Sequence, residues 1–290
     1  MRSLLRAVAL VLLVATASAA APITRPAPAV RTLPNGLRVV VLPRTGLPLV
    51  QVQLQVPAGL SAEGDGQAGL AWITAQSLRQ GTSSRSAEDF ATELDTLGAT
   101  FAVNVTRDAA QVVIGARREE LGAVLELMSD AVINPRFDDE AFQLTRRQVA
   151  TQLGQAARAP ATLADERFAT LVFGAHPYAH PLRGELEVLV GTTREHARTF
   201  HRDHWRPDRA VLVVAGDVTP ADAFAQAEEW FARWSGKAQP VAEEALPAMR
   251  RGTWLEDLAT SPVVEVRVGL RAPGRGAATF ASWSIAREAL

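Results

Sequence analysis

A strictly alternating segment at Leu49–Val56 most constrains what this chain can fold into. Successive side chains of a β-strand point to opposite faces, so a period of two residues separates an apolar face from a polar one. The two faces consist of Val50, Val52, Leu54 and Val56 and of Gln51, Gln53 and Gln55. The pattern therefore predicts a strand of a sheet that buries one of its faces.

The rest of the chain alternates between strand and helix patterns. Further strands are predicted at 37–42, 100–106, 109–116, 210–215 and 263–270, and the apolar run 210–215 is predicted to be buried on both faces. Helices are predicted at 67–79, 86–97, 119–132, 138–157, 160–173, 193–204, 220–234 and from 277. Residues 59–66 and 174–184 are predicted loops, 20–30 an extended lead-in and 235–251 a linker. This order indicates an α+β fold, in which helices cover an antiparallel-rich sheet.

Composition excludes several classes of function. Of the 290 residues, 48% are hydrophobic and 21% charged, which is typical of a globular protein with one large or two ordinary domains. The formal net charge is −1, so no basic surface indicates a nucleic-acid partner. The chain has no cysteine, which excludes thiol catalysis and cysteine-ligated metals.

The N-terminus has the pattern of a secretory signal. Arg2 and Arg6 precede a short apolar run, and Ala17-Ser18-Ala19 matches a signal peptidase site. The apolar run is too short for a stable membrane anchor. We therefore expect residues 1–19 to be a signal peptide and the mature protein to be exported, periplasmic or secreted. A retained N-terminal anchor is the alternative.

A series of short motifs runs through the chain in a defined order. The motifs are Leu33-Pro34-Asn35-Gly36-Leu37-Arg38-Val39-Val40, Gly69-Leu70-Ala71, Gly81-Thr82-Ser83-Ser84-Arg85-Ser86, Leu97-Gly98-Ala99, Asn134-Pro135-Arg136-Phe137, His176-Pro177-Tyr178, Phe200-His201 with Trp205-Arg206-Pro207, and Val213-Val214-Ala215-Gly216-Asp217-Val218. This series resembles the M16 metallopeptidases, the family of insulinase, pitrilysin and the mitochondrial processing peptidase. The resemblance implies an M16-type N-terminal domain at 31–180 and an M16 C-terminal domain, truncated, at 185–290. In structural terms, it implies a first domain at about 31–236 and a second of similar type from about 252.

The same resemblance locates the catalytic motif of the family, His-x-x-Glu-His, directly after Gly69-Leu70-Ala71. Trp72 and Gln76 stand at the two zinc-binding histidines, and Ala75 stands at the general base. The family spacing places Leu153 at the third zinc ligand and Arg146 at a supporting glutamate. Indole, alkyl and neutral amide groups are not competent zinc ligands. The resemblance thus implies zinc as the family cofactor, and the residues predict that it is absent here.

The five histidines all lie between positions 176 and 204, which makes an independent metal site a possible interpretation. Pro177 and Pro181 keep His176 and His180 off a common helix face. The other three do not share a face with a carboxylate. We therefore expect structural histidines rather than metal ligands.

In active members of the family, the strand after the Leu97-Gly98-Ala99 motif pairs with extended substrate through backbone hydrogen bonds. The corresponding positions here are Thr100, Phe101, Ala102, Val103 and Asn104. Backbone pairing does not need the missing zinc ligands. These residues are therefore the predicted peptide-binding edge strand.

Three functions are considered, and the resemblance makes the first of them the leading hypothesis. The first is a non-catalytic partner subunit of a periplasmic M16 zinc metallopeptidase, which helps to enclose and bind extended peptide or unfolded polypeptide. The second is an active zinc metalloendopeptidase with unrecognised ligands. The third is a truncated gene product without function, suggested by a predicted helix that is still running at Leu290.

Overall fold

The computed structural model describes residues 27–241, 245–248, 252–257, 263–269 and 272–288, so the predicted signal peptide lies outside the described residues. The strands are β1 Ala29–Thr32, β2 Arg38–Pro43, β3 Leu49–Val56, β4 Thr100–Val105, β5 Ala110–Arg117 and β6 Val211–Gly216. The α-helices are α1 Leu70–Ser77, α2 Ala87–Thr96, α3 Leu121–Ile133, α4 Asp139–Ala156, α5 Pro160–Phe173, α6 Leu186–Gly191, α7 Arg194–His204, α8 Pro220–Phe231 and α9 Phe280–Glu288.

The six strands form one mixed sheet in the order β1-β2-β6-β3-β5-β4. The pair β2 and β6 is parallel, and the other neighbouring pairs are antiparallel. The predicted α+β class with an antiparallel-rich sheet is therefore confirmed. β1 and β4 are the edge strands of this sheet.

The alternation in β3 decides which sheet face is covered. Val50, Val52, Leu54 and Val56 are buried, while the glutamines between them remain exposed or half-buried, as predicted. The buried face packs against helices α1, α3 and α8. Burying such side chains contributes roughly 1.5–3 kcal/mol each, so the helical layer on one face provides the main hydrophobic core.

The burial predicted for 210–215 is wrong. In β6, Leu212 and Val214 are fully buried, but Val211 and Val213 are only half-buried. β6 lies in the interior of the sheet, between β2 and β3, so its backbone is paired on both edges. Only one face of the sheet is covered by the helices that pack on it. The apolar run therefore reflects a central position within the sheet and not two covered faces.

Local capping explains where several predicted helices begin. Ser86 accepts from the amide of Asp89, and the Asp89 carboxylate accepts from the amide of Ser86, which closes the predicted capping box of α2. Asp138 and Thr193 cap α4 and α7 through their side chains. These three helix starts agree with the sequence because the cap residues are local signals.

Close backbone packing, by contrast, shortens α1 relative to the prediction of 67–79. Gly69 has a φ of +94°, outside the helical region, so α1 begins at Leu70. A Cβ atom on Gly69 would lie 2.7 Å from the Cα of Gly184, so both positions need glycine. The short helix α6 and the edge strand β1 were also not predicted, since both are brief and rely on tertiary contacts.

The strand predicted at 263–270 is not found in the described residues of that segment, 263–269, which form neither strand nor helix. Val264, Val266 and Val268 are exposed by 90%, 69% and 92%. Arg267 faces α5 instead, where it pairs with Asp165 and donates to the carbonyl of Ala161 over 3.0 Å. A strand needs a neighbouring strand for its backbone hydrogen bonds, and the described part of the chain provides none here.

Across the described ranges, no helix combines the length and the apolar character that crossing a membrane requires.

Candidate functional site

Helix α1 holds the residues that stand at the catalytic positions of the motif. Ile73 and Ala75 are fully buried in the main core, whereas Trp72 and Gln76 are half-buried. Residues at i and i+4 share one helix face, so the latter two side chains point to the same side of α1. Ala75 places a methyl group inside the core where an active member of the family needs a carboxylate.

The N-terminus of α1 is capped by a carboxylate from the loop that precedes it. Glu63, in the loop 59–66, accepts hydrogen bonds from the amides of Ala71 over 2.8 Å and Gly69 over 3.1 Å. Burial raises the pKa of Glu63 to about 8, although these two amides act in the opposite direction. The sequence indicated only a surface loop, because nothing local shows that the loop folds over a helix end.

Trp72 packs beneath an arginine. The guanidinium of Arg183 lies 5.4 Å from the centre of the indole ring, within the range of a cation–π contact. The indole Nε1 is buried and has no hydrogen-bond partner in the structure. A bulky ring thus fills the position of the first zinc ligand.

Helix α4 presents Gln152 toward Gln76, and not Leu153. Leu153 is 9% exposed and belongs to the main core, whereas Gln152 lines a cleft together with Gln76 and Thr145. Arg146 points elsewhere and donates to the carbonyls of Val190 and Thr192. The structure therefore favours a register one residue earlier than the sequence count, with Gln152 and Thr145 at the positions assigned to Leu153 and Arg146.

The cleft between α1 and α4 has a volume of about 350 Å³ and is almost entirely polar. We call it the glutamine cleft, and its lining consists of Gln76, Arg79, Gln80, Thr145, Gln148, Val149 and Gln152. Thr145 and Val149 are buried and form its floor, while Arg79, Gln148 and Gln152 are exposed at its rim. Of these seven residues the sequence prediction identified only Gln76 and missed the other six, although the i, i+4 spacing of Gln148 and Gln152 was a usable signal.

The residues at this site do not fit zinc. The side chains facing one another at the expected ligand positions are an indole and two neutral amides, and neither class binds Zn²⁺ in ordinary protein sites. In the described part of the chain, no three His, Cys, Asp or Glu side chains are grouped so that they could hold a metal ion. No chemical step through a metal can be derived from this geometry.

His201 and His176 have packing and capping roles, and His180 lies 3.4 Å from the carboxylate of Glu185. The Nε2 of His201 donates to the carbonyl of Val132 over 2.8 Å, and its ring stacks on Trp205 with centroids 5.7 Å apart. Burial lowers the pKa of His201 to about 4, so its ring is neutral at physiological pH. The Nδ1 of His176 accepts from the amide of Tyr178 and caps a short turn.

The motif at residues 81–86 builds a buried polar network. The carboxylate of Asp130 accepts from Thr82 and Ser84 over 2.6 Å each and from Arg85 over 2.9 Å. Arg85 also pairs with Glu93 at 2.7 Å. Burial raises the pKa of Asp130, but the hydrogen bonds outweigh it and hold the pKa below its ordinary value. This motif therefore joins α2 to α3 and is not part of a catalytic centre.

The predicted peptide-binding strand, Thr100 to Asn104, lies within β4 at the edge of the sheet. The carbonyl of Val103 accepts from the Nε2 of Gln76 over 3.4 Å, so it points away from β5. Backbone groups of alternate residues in an antiparallel strand point to the same side, so Phe101 and Val105 also face outward. β4 thus directs backbone groups outward beside α1, where Gln76 already holds the carbonyl of Val103. The role of β4 in peptide binding stays a prediction.

Comparisons with known proteins agree with this architecture. The family model described as insulinase (peptidase family M16) matches residues 39–185, and the model described as peptidase M16 inactive domain matches residues 192–273. The chain is 28% identical over 262 residues to the uncharacterized zinc protease Rv2782c of Mycobacterium tuberculosis, covering 89% of this chain and 60% of that protein. It is 22% identical over 214 residues to the uncharacterized zinc protease YmxG of Bacillus subtilis, covering 73% of this chain and 52% of that protein.

Solved structures show the same fold. A peptidase M16 inactive domain from Pseudomonas fluorescens superposes with a TM-score of 0.72 at 22% identity, covering 77% of this chain and 54% of that one. A protease from Helicobacter pylori superposes with a TM-score of 0.71 at 22% identity, covering 78% and 54%. The chain thus spans about half to three-fifths of the length of these relatives. The M16 family model covers just over half of the chain and follows the element order described above, and the chain belongs to peptidase family M16.

Proposed function

We propose that this protein is a non-catalytic M16 homologue that binds extended peptide and assembles with a catalytically competent M16 peptidase. One observation supports the proposal: the segment to which the family resemblance assigns the zinc motif forms helix α1, and Trp72, Ala75 and Gln76 stand at the positions assigned to the motif. A water molecule cannot be activated there, because the ligands and the general base are both missing. Loss of the base alone removes roughly 10²- to 10⁴-fold of catalysis.

Peptide binding is supported by the geometry of β4. This strand is a sheet edge with outward-facing backbone groups, and an extended peptide can add to such an edge as a further strand. Two proteins of the same fold serve as precedents, the first for a complex with another protein and the second for a periplasmic location. One is the ferredoxin protease FusC in complex with Arabidopsis ferredoxin, and another is the periplasmic protease PqqL of Escherichia coli. The location we propose is the periplasm or the exterior, on the basis of the signal pattern at 1–19.

Metal analysis tests the non-catalytic part of the proposal. Purified protein is incubated with excess zinc, dialysed extensively against metal-free buffer and measured by elemental analysis. We expect well under one zinc per chain, since the motif positions supply no thiolate, imidazole or carboxylate. Stoichiometric zinc that survives dialysis, together with cleavage of unfolded polypeptide, would establish an active enzyme instead.

Backbone methylation of the ligand tests the peptide-binding part. An unstructured, β-prone peptide is compared with the same peptide methylated on its backbone nitrogens, which removes the donors needed for strand pairing. We expect the unmethylated peptide alone to bind. Equal binding of both peptides would rule out strand pairing with β4. This comparison uses the wild-type protein alone.

A mixing experiment tests the partner. The chain is combined with an M16 peptidase of the same organism that retains His-x-x-Glu-His, and complex formation is followed by sedimentation. We expect a heteromeric complex and faster peptide cleavage than by the peptidase alone. The absence of any complex at tens of micromolar would exclude the partner role.

A further inference from the structure

The glutamine cleft contains one cation and no anion. Arg79 is exposed at its rim and makes no hydrogen bond or ion pair through its side chain within the described part of the chain. None of the residues that line the cleft carries a carboxylate. An arginine beside a cleft without a counter-charge is suited to a ligand that brings a negative charge of its own.

The amides of the cleft are free to act as donors. Gln148 and Gln152 lie four residues apart on α4, and Gln76 and Gln80 lie four residues apart on the facing side, at α1 and the turn after it. Within the described ranges of the chain, Gln76 alone among these four side chains has a protein hydrogen bond, to the carbonyl of Val103. Each amide has two N–H donors and one acceptor oxygen, so the cleft can bind the oxygens of an anion and the N–H groups of a peptide.

The charge of the cleft limits the class of anion. A single guanidinium neutralises one negative charge, and the neutral amides add hydrogen bonds without adding charge. A carboxylate is a monoanion whose two oxygens match the two parallel N–H donors of arginine. A phosphate group at neutral pH would keep an uncompensated charge in a cleft that has no second cation.

The position of the cleft indicates that the carboxylate ligand belongs to a peptide. Gln76 lines the cleft and at the same time contacts the carbonyl of Val103 on the outward side of β4. An extended peptide that adds to β4 therefore passes directly beside the cleft. Active relatives hold their catalytic metal at this place. This protein has an amide-lined cleft with one arginine there.

We infer that the glutamine cleft binds a carboxylate of the peptide that pairs with β4, either its C-terminal carboxylate or an acidic side chain. This inference rests on the proposed function and specifies the class of peptide that the protein selects. Arg79 forms the charged pair, and the four glutamines supply the remaining hydrogen bonds.

Three peptides of one β-prone, otherwise uncharged sequence test the inference. The first has a free C-terminal carboxylate, the second has a C-terminal amide, and the third has the amide and one internal glutamate. Each carries the same fluorophore at its N-terminus, and binding to the full-length chain is followed by anisotropy at low salt. A carboxylate pair with arginine at a rim position predicts about five- to tenfold tighter binding of the first or third peptide than of the second.

Two variants assign the effect to the cleft. Arg79→Gln removes the charge and is expected to abolish the preference for the acid-bearing peptides over the amide peptide. Arg147→Gln is the matched control, because Arg147 is an exposed arginine on α4 that does not line the cleft. This control is expected to keep the full preference. Both variants must show the same thermal unfolding as the wild-type protein.

The outcomes separate the two proposals. Equal binding of all three peptides, or a preference that survives Arg79→Gln, overturns the inference about the cleft and leaves peptide binding at β4 standing. If no peptide binds in any form, the inference and the peptide-binding function both fall. A preference for the free C-terminus alone or for the internal glutamate alone supports the inference and identifies the source of the carboxylate.

Discussion

At the residue scale, Trp72, Ala75 and Gln76 differ from the residues that the family resemblance expects on α1, and all three side chains are buried or half-buried. Ala75 is fully buried in the core, and the ring of Trp72 is covered on one side by Arg183. Placing a glutamate alone at position 75 would bury a carboxylate without a metal or a partner, which is costly. A glutamate at position 75 alone is therefore expected to lower the stability of the fold.

Glu63 provides a pH prediction at this scale. Its pKa is raised to about 8 in the folded protein and is about 4.3 in an unfolded chain, so the native state retains a proton that the unfolded state loses. The stabilising contribution of Glu63 is therefore complete below pH 4 and declines as the pH rises to about 8. We expect the free energy of unfolding to fall by about 1–2 kcal/mol across this range, less than the full shift implies because the side chain keeps some exposure.

The variant Glu63→Gln tests this pH dependence. An amide oxygen can still accept from Ala71 but does not titrate, so this component of the decline should disappear. Glu88→Gln is the control, because Glu88 is exposed in the first turn of α2. Denaturant unfolding between pH 5 and pH 8.5 measures the difference. A decline of the same size in wild type and Glu63→Gln would show that Glu63 is ionised throughout.

At the element scale, the rotation of α4 about its axis decides which side chain meets α1. Successive residues of a helix point about 100° apart, so a count that is wrong by one residue changes the face completely. The structure buries Leu153 in the core and directs Gln152 into the glutamine cleft. The same rotation brings Thr145 into the cleft and directs Arg146 toward the carbonyls at α6.

A rebuilt zinc site tests this rotation. The variant Trp72→His, Ala75→Glu, Gln76→His and Gln152→Glu is expected to bind one zinc ion, because it places two imidazoles and a carboxylate on facing helix surfaces. The matched variant carries Leu153→Glu in place of Gln152→Glu and is expected to bind zinc poorly. It should also lose about 3 kcal/mol of stability or more, since it buries a carboxylate in the core.

Zinc affinity is measured by titration with a competing chelator, and stability is measured by thermal unfolding of both variants. Loss of the half-buried Trp72 ring lowers the stability of both proteins equally, by up to about 3 kcal/mol. The two variants therefore differ only in whether the introduced glutamate stands at position 152 or at position 153. Tighter zinc binding by the Leu153→Glu variant would return the third ligand position to Leu153.

At the scale of the whole molecule, the segment 263–269 turns its apolar side chains outward. Arg267 holds the segment against α5 through Asp165, while Val264, Val266 and Val268 remain exposed. Apolar side chains alternate with polar ones here, as in a strand, yet the described residues provide no neighbouring strand. Exposed alternating segments of this kind favour association through their open edges.

Self-association is the expected result. The full chain should sediment as a concentration-dependent mixture, and Val264→Thr, Val266→Thr and Val268→Thr together should shift it toward the monomer, because threonine has the shape of valine with a polar group. Analytical ultracentrifugation over a hundredfold range of concentration measures the shift. A wild-type chain that remains monomeric at all concentrations would contradict the expectation, and unchanged melting of the variant is the control for folding.

The sequence by itself determined the strands and helices with strong periodicity and local caps. β3 and the helices that begin after Ser86, Asp138 and Thr193 were predicted because alternation and capping depend on neighbours within a few residues. The family resemblance also followed from short motifs, and these identified Trp72, Ala75 and Gln76 as replacements on the zinc helix. Such information is local, so a linear sequence contains it.

The tertiary structure alone decided what depends on residues far apart in the chain. The sequence did not reveal that β6 is covered on one face or that Gln152 rather than Leu153 faces Gln76. It also predicted a strand at 263–270, where the alternation is present but no described strand lies beside it. Rotation of helices, cover of a sheet face and pairing of strands are set by packing across the whole domain, because burial belongs to the assembled core and not to any segment on its own.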